Sequence, residues 1–97
     1  MTEYKLLVEQ EALEFVKSLD EKSERICKEN LKKLVENPYP GRGRGDKEKL
    51  AVDGEVVFRL HIGRTFTAFY EILEDEGAVR VLEVLPIDEA HDRYGFN

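Results

Sequence analysis

The sequence predicts an α+β domain of element order β-α-α-β-β-β. An N-terminal strand and an antiparallel three-strand meander share one sheet, with a helical hairpin packed on one face. Three observations predict it. Apolar residues recur at helical spacing between residues 11 and 36. From residue 56 onward they alternate with polar ones at period 2. The turns between these later runs are too short for a crossover, so consecutive strands must run antiparallel.

Taken in order, "YKLLV" (residues 4–8) is the first strand. "EALEFVKSL" then places Ala12, Leu13, Val16 and Leu19 on one helical face. Asp20 is a natural N-cap for a second helix, and Glu21 in the first turn suits the helix dipole. That helix reaches about residue 36 and presents Ile26, Cys27, Leu31, Leu34 and Val35 on one side. Asn37-Pro38 stops it, because a residue before proline is pushed out of the helical region. "NPYPGRGRGDKEK" (residues 37–49) is expected as one long loop. Strands follow at 56–62, 66–73 and 78–85, with turns at Gly63-Arg64 and at Asp75-Glu76-Gly77.

The first of these turns decides which residues share a face. A two-residue loop would set Ile62 opposite Thr65 and mix polar with apolar side chains on both faces. A three-residue loop, Gly63-Arg64-Thr65, sets Ile62 opposite Phe66 and Leu60 opposite Ala68. Phe58, Leu60, Ile62, Phe66, Ala68 and Tyr70 then face the helices, while Arg59, His61, Thr67, Phe69 and Glu71 face away. A one-residue slip inverts every side chain, so the apolar pattern selects the three-residue loop.

At 97 residues the chain suits one domain spanning 1–97. Hydrophobic residues are 41% and charged residues 37%, the balance of a folded chain with a densely charged surface. The single cysteine, Cys27, has no partner for an internal disulfide and falls among apolar helix positions, which suits a structural thiol. With no signal-peptide pattern and no long apolar run, a cytoplasmic location is expected. No metal site is expected, because two histidines and one cysteine lie far apart without ligand spacing. The glycines of "GRGRGDK" lack the strand–loop–helix context of a phosphate-binding loop.

The net charge of −6 argues against nucleic-acid affinity driven by bulk charge. Its distribution is uneven: residues 37–70 carry +2 and residues 71–97 carry −6. The basic middle segment holds the bases of "FRLHIGRTFTAFYEI".

The chain resembles the RelE/ParE superfamily of small toxins from toxin–antitoxin pairs. The resemblance rests on the element order, "ENPYPG" at the exit of the second helix, "DKEKL" before the sheet, "FRLHIGRTFTAFYEI" and the ending "AHDRYGF". It covers nearly the whole chain. It implies a RelE-like, ribosome-dependent and metal-free mRNA endonuclease, needing no cofactor, whose partners are a cognate antitoxin, the ribosome and mRNA. The alternative it implies is a ParE-like gyrase inhibitor, or a relative without activity that retains antitoxin binding.

The nuclease chemistry uses the substrate 2′-hydroxyl as nucleophile, so it needs a base, cations for the developing phosphorane charge and an acid for the leaving 5′-oxygen. The family's basic pair falls on Arg59 and His61, and its C-terminal tyrosine on Tyr94. Arg64, His91 and Arg93 supply nearby polar chemistry, and Arg42, Arg44, Lys47 and Lys49 are candidates for RNA-backbone contact. Two positions depart from the pattern. Thr67 stands where the family has a phosphate-binding arginine, and Asp88 stands near a second basic position. Bland readings compete at each site. Arg59 and His61 alone would suit a solvated strand face, where Glu71 could pair with either; Tyr94 equally suits an aromatic anchor; His91 and Arg93 suit a solvated tail.

Overall fold

In the computed structural model, residues 3–41 and 47–94 are described, with backbone alone at 52 and 91–94. The elements are β1 (Lys5–Val8), α1 (Gln10–Lys17), α2 (Glu21–Lys33), β2 (Lys47–Val52), β3 (Glu55–Ile62), β4 (Phe66–Leu73), a 3₁₀ turn (Glu74–Glu76), β5 (Ala78–Pro86) and α3 (Ile87–Tyr94). They build a five-stranded sheet of order β1-β5-β4-β3-β2, in which β1 runs parallel to β5 and every other pair is antiparallel.

The helical hairpin forms as its sequence dictates. Asp20 caps α2, its Oδ2 accepting from the Ser23 backbone N–H at 3.3 Å. The hydrogen bonds from Ser23 hold the Asp20 carboxyl below its ordinary range. The helix ends at Lys33, slightly before the expected position, and 34–36 continue as a turn. Ala12, Val16, Cys27, Leu31 and Leu34 are buried against Phe58, Leu60, Ile62, Ala68, Tyr70, Val79, Val81 and Val84 of the sheet. Cys27 is fully buried, and burial pushes its thiol up, away from the reactive thiolate.

The meander adopts the three-residue register. Ile62 pairs with Phe66, Leu60 with Ala68 and Phe58 with Tyr70. Gly63, at φ 60°, supplies the left-handed backbone that this turn needs.

Two elements differ from expectation. Residues 47–52, expected within the long loop and its lead into the sheet, form the edge strand β2. The reason is the turn Asp53-Gly54, at φ 51° and 82°, a two-residue hairpin connection that pairs Val52 with Glu55. The C-terminal segment, expected as a solvated tail, continues β5 into α3, and Ala90 of α3 is buried. The sheet is therefore covered on both faces: by α1 and α2 on one, and by α3 on part of the other.

A buried polar contact ties the loop after α2 to the sheet. The Tyr70 hydroxyl donates to the Pro38 carbonyl at 2.6 Å. Burial raises the phenol well above its ordinary range, so it remains a donor. Tyr70→Phe leaves that carbonyl without its partner in a buried place. The expected cost is about 1–3 kcal/mol in urea unfolding. A midpoint unchanged from the parent would show that the contact carries no stability.

Candidate functional site

The outward face of β3 and β4 is where the candidate residues meet. Arg59 lies opposite Phe69 and His61 opposite Thr67, as the register requires. The setting is not a solvated sheet surface. Val57, Phe69, Leu85 and Ala90 form a second apolar cluster here, with Leu50 and Leu82 packed against it. Phe69 is 0% exposed and Thr67 2%. Arg59 has only 13% of its side chain exposed, and His61 is half-buried.

A β-bulge helps to create this second cluster. Phe69 pairs with Glu83 but Tyr70 pairs with Val81, so β5 carries one extra residue at this point. The shift lets Val79, Val81 and Val84 all face the hairpin helices, while Leu82 and Leu85 serve the other side. Nothing local in "AVRVLEVLP" marks where the alternation resets.

The charges on this face are paired differently from expectation. Glu71, expected beside Arg59 or His61, instead binds Arg80, whose Nη2 donates to Glu71 Oε1 at 2.6 Å. Arg80 Nε also lies 4.0 Å from Glu9 Oε2. Arg59 is held by Glu48, across the β2–β3 hairpin: both carboxylate oxygens accept from its Nη2, Oε2 at 2.9 Å. Opposed charges in such a cross-strand pair are worth roughly 0.2–1 kcal/mol. Glu48 is the site residue that sequence reasoning missed, although its signal was present. An Asp53-Gly54 hairpin that pairs 52 with 55 necessarily puts 48 opposite 59.

The same register separates other candidates. Lys47 pairs with Leu60 and Lys49 with Phe58, so both lysines lie on the hairpin-helix side of the sheet, away from Arg59. Lys47 Nζ donates to the Asn37 carbonyl at 2.7 Å. Arg64 is exposed in the β3–β4 turn, where it lines a shallow cleft with Thr65, Pro86, Ile87 and Asp88. The Ile87 N–H donates to the Thr65 carbonyl at 3.0 Å, which fixes the start of α3 beside that turn. His91, Arg93 and Tyr94 fall on α3, which packs against β4 and β5 with Ala90 in the outer apolar cluster; their side chains are outside the described part of the structure. Arg42 and Arg44 lie outside the described residues altogether.

Thr67 does not act as a substitute cation. Its hydroxyl donates to the Leu60 carbonyl at 3.2 Å and is buried within the sheet. Chemically the described part of the face offers two guanidiniums already engaged by carboxylates, Arg59 by Glu48 and Arg80 by Glu71, with an imidazole beside Arg59 and the exposed Arg64 at one end.

This fold is that of small bacterial and archaeal toxins. The structure is similar to archaeal RelE in its complex with RelB from Pyrococcus horikoshii, at a TM-score of 0.70 and 23% identity, covering 89% of this chain and 96% of that one. It is similar to a chain of the RelBE2 toxin–antitoxin complex of Mycobacterium tuberculosis, at 0.72 and 19%, covering 87% and 98%. A third similarity is to YoeB, solved as a dimer from Staphylococcus aureus, at 0.67 and 20%, covering 86% and 95%. No curated protein matches the sequence. Residues 6–90 match the family described as the ParE toxin of type II toxin–antitoxin systems. The chain belongs to that family, within the RelE/ParE toxin superfamily. Among the described residues, no helix is long and apolar enough to cross a membrane.

The second apolar cluster should be as consequential as the first. Phe69→Ala removes its central ring and is expected to cost about 3–5 kcal/mol in urea unfolding. A loss below about 1 kcal/mol would mean that this side of the sheet does not hold together as described.

Proposed function

We propose that the chain is a RelE-like toxin that cleaves mRNA in the ribosome without a metal, acting in the cytoplasm and restrained by a cognate antitoxin. The observation that carries this reading is the basic pair Arg59 and His61 on the outer face of β3, the side of the sheet on which α3, the helix whose sequence holds His91, Arg93 and Tyr94, packs through Ala90. Arg59 binds the scissile phosphate through its fork of N–H donors. His61 is within the same patch to take the 2′-hydroxyl proton or to hold the phosphate. Arg64 or Arg93 stabilises charge on the phosphorane, and Tyr94 orients the 2′-hydroxyl. Backbone contact by Arg42 and Arg44 extends the site. Lys47 and Lys49 can take part only where the RNA passes round the outer edge of β2.

The antitoxin has a place to land on the opposite side. Leu6, Val8, Leu13, Val16 and Leu31 line an apolar groove between the edge strand β1 and the hairpin, with Lys28 and Lys32 at its margin. Leu13, in the lining of this groove, remains exposed. An amphipathic segment with acidic flanks fits such a groove. The relatives in complex with RelB support an antitoxin as the natural partner of this fold.

A second reading is favoured by Thr67 and Asp88. With Thr67 buried and bound to a main-chain carbonyl, and Asp88 exposed in the first turn of α3, the face lacks two cations that the RelE-like chemistry uses. Under this reading the chain is a ParE-like topoisomerase inhibitor, or binds its antitoxin without cutting RNA.

Primer extension on mRNA in translating ribosomes separates the two. The purified protein is expected to produce ribosome-dependent cuts, reduced at least about a hundredfold by Arg59→Ala, the scale of losing one transition-state charge contact. Folded protein that leaves the message intact would refute the nuclease reading and direct the test to DNA gyrase.

A further inference from the structure

We infer that Glu48 is a built-in competitor for the phosphate. It occupies Arg59 when no RNA is bound and must be displaced before that arginine can grip the backbone. The inference rests on the nuclease reading of the Arg59 face and concerns the regulation of that same site.

Three features support it. First, the contact has the chemistry of the bond it would replace. A carboxylate on a guanidinium nitrogen is the protein group that most nearly matches a phosphate oxygen at the same place. Both Glu48 oxygens reach Arg59 Nη2. Second, the two partners are unequally anchored. Arg59 rises from the inner strand β3 and has 13% of its side chain exposed, whereas Glu48 is on the edge strand β2 and has 48% exposed. The acid can therefore swing into water while the base stays in place. Third, Glu48 sits within the locally basic stretch 37–70 of a chain whose net charge is −6. Its carboxylate offsets the charge of the residue best placed to receive an anion.

The competing reading is a pair that simply pins β2 to the sheet. Removing the charge distinguishes them. A pinning pair, once lost, lowers stability and leaves anion binding alone. A competitor, once lost, opens Arg59 to one more phosphate.

The experiment uses the full-length chain and a short fluorescent single-stranded RNA with 2′-methoxy riboses, which cannot be cut. Anisotropy is measured across a salt series for the parent, Glu48→Gln and Glu48→Thr, and for each combined with Arg59→Ala. Melting curves confirm folding, and threonine provides a second neutral residue suited to an edge strand. Removing the carboxylate is expected to tighten binding about tenfold at low salt, equivalent to about 1.4 kcal/mol. It should also steepen the slope of log K against log salt by about 0.7, the value for one extra single-strand phosphate contact. Both gains should vanish in the Arg59→Ala background. Unchanged or weaker binding overturns the inference, and so does a gain that persists without Arg59.

Primer extension on translating ribosomes then separates this inference from the reading beneath it. Tighter, Arg59-dependent binding with no cuts by any variant upholds the competitor and refutes the nuclease. Cuts by the parent that disappear in Glu48→Gln, with RNA binding unchanged, overturn the competitor and place the carboxylate in the chemistry.

Discussion

Core and candidate site both go back to the turn at Gly63-Arg64-Thr65. By pairing Ile62 with Phe66, it sends Phe58, Leu60, Ala68 and Tyr70 to the hairpin helices and puts Arg59, His61 and Thr67 on the other side. A loop shorter by one residue would bury either Arg59 and His61 or Thr67 and Glu71 under α1 and α2, where an unpaired charge is costly. One glycine at positive φ, with the alternation on either side of it, thus sets the two faces of the sheet.

The site face is more enclosed than an outward strand face needs to be. Phe69, Leu85 and Ala90 give it a small core of its own, and the bulge in β5 supplies the residues that pack there. Enclosure has two effects on Arg59. It limits the arrangements open to the guanidinium, which favours a preorganised anion site. It also removes much of the water that would otherwise solvate the charge, so a carboxylate nearby becomes its natural companion. Glu48 and the functional reading of Arg59 are thus products of the same packing.

The family places this chain among the toxins of toxin–antitoxin systems that share this scaffold. The two readings of its activity turn on few atoms. Arg59 and His61 keep the basic pair on β3, while Thr67 uses its hydroxyl to satisfy the Leu60 carbonyl and offers no charge. The scaffold can retain its core and its apolar groove beside β1 whichever chemistry the opposite face performs, because the two lie on different sides of the sheet.

Local pattern was enough to specify the helical hairpin, the order of the meander, the register of β3 against β4 and the face on which the residues of those two strands lie. Periodicity and turn chemistry act within a few residues, so a single chain displays them. The edge strand β2 was also within reach, through Asp53-Gly54, since a two-residue turn specifies its own pairing and with it Glu48 opposite Arg59. Long-range packing alone set the parallel pairing of β1 with β5, the bulge opposite Phe69 and the packing of α3 onto the outer face of β4 and β5. Those depend on contacts between segments far apart in the chain, where the gain is burial of Phe69, Leu85 and Ala90 together and no local pattern records it.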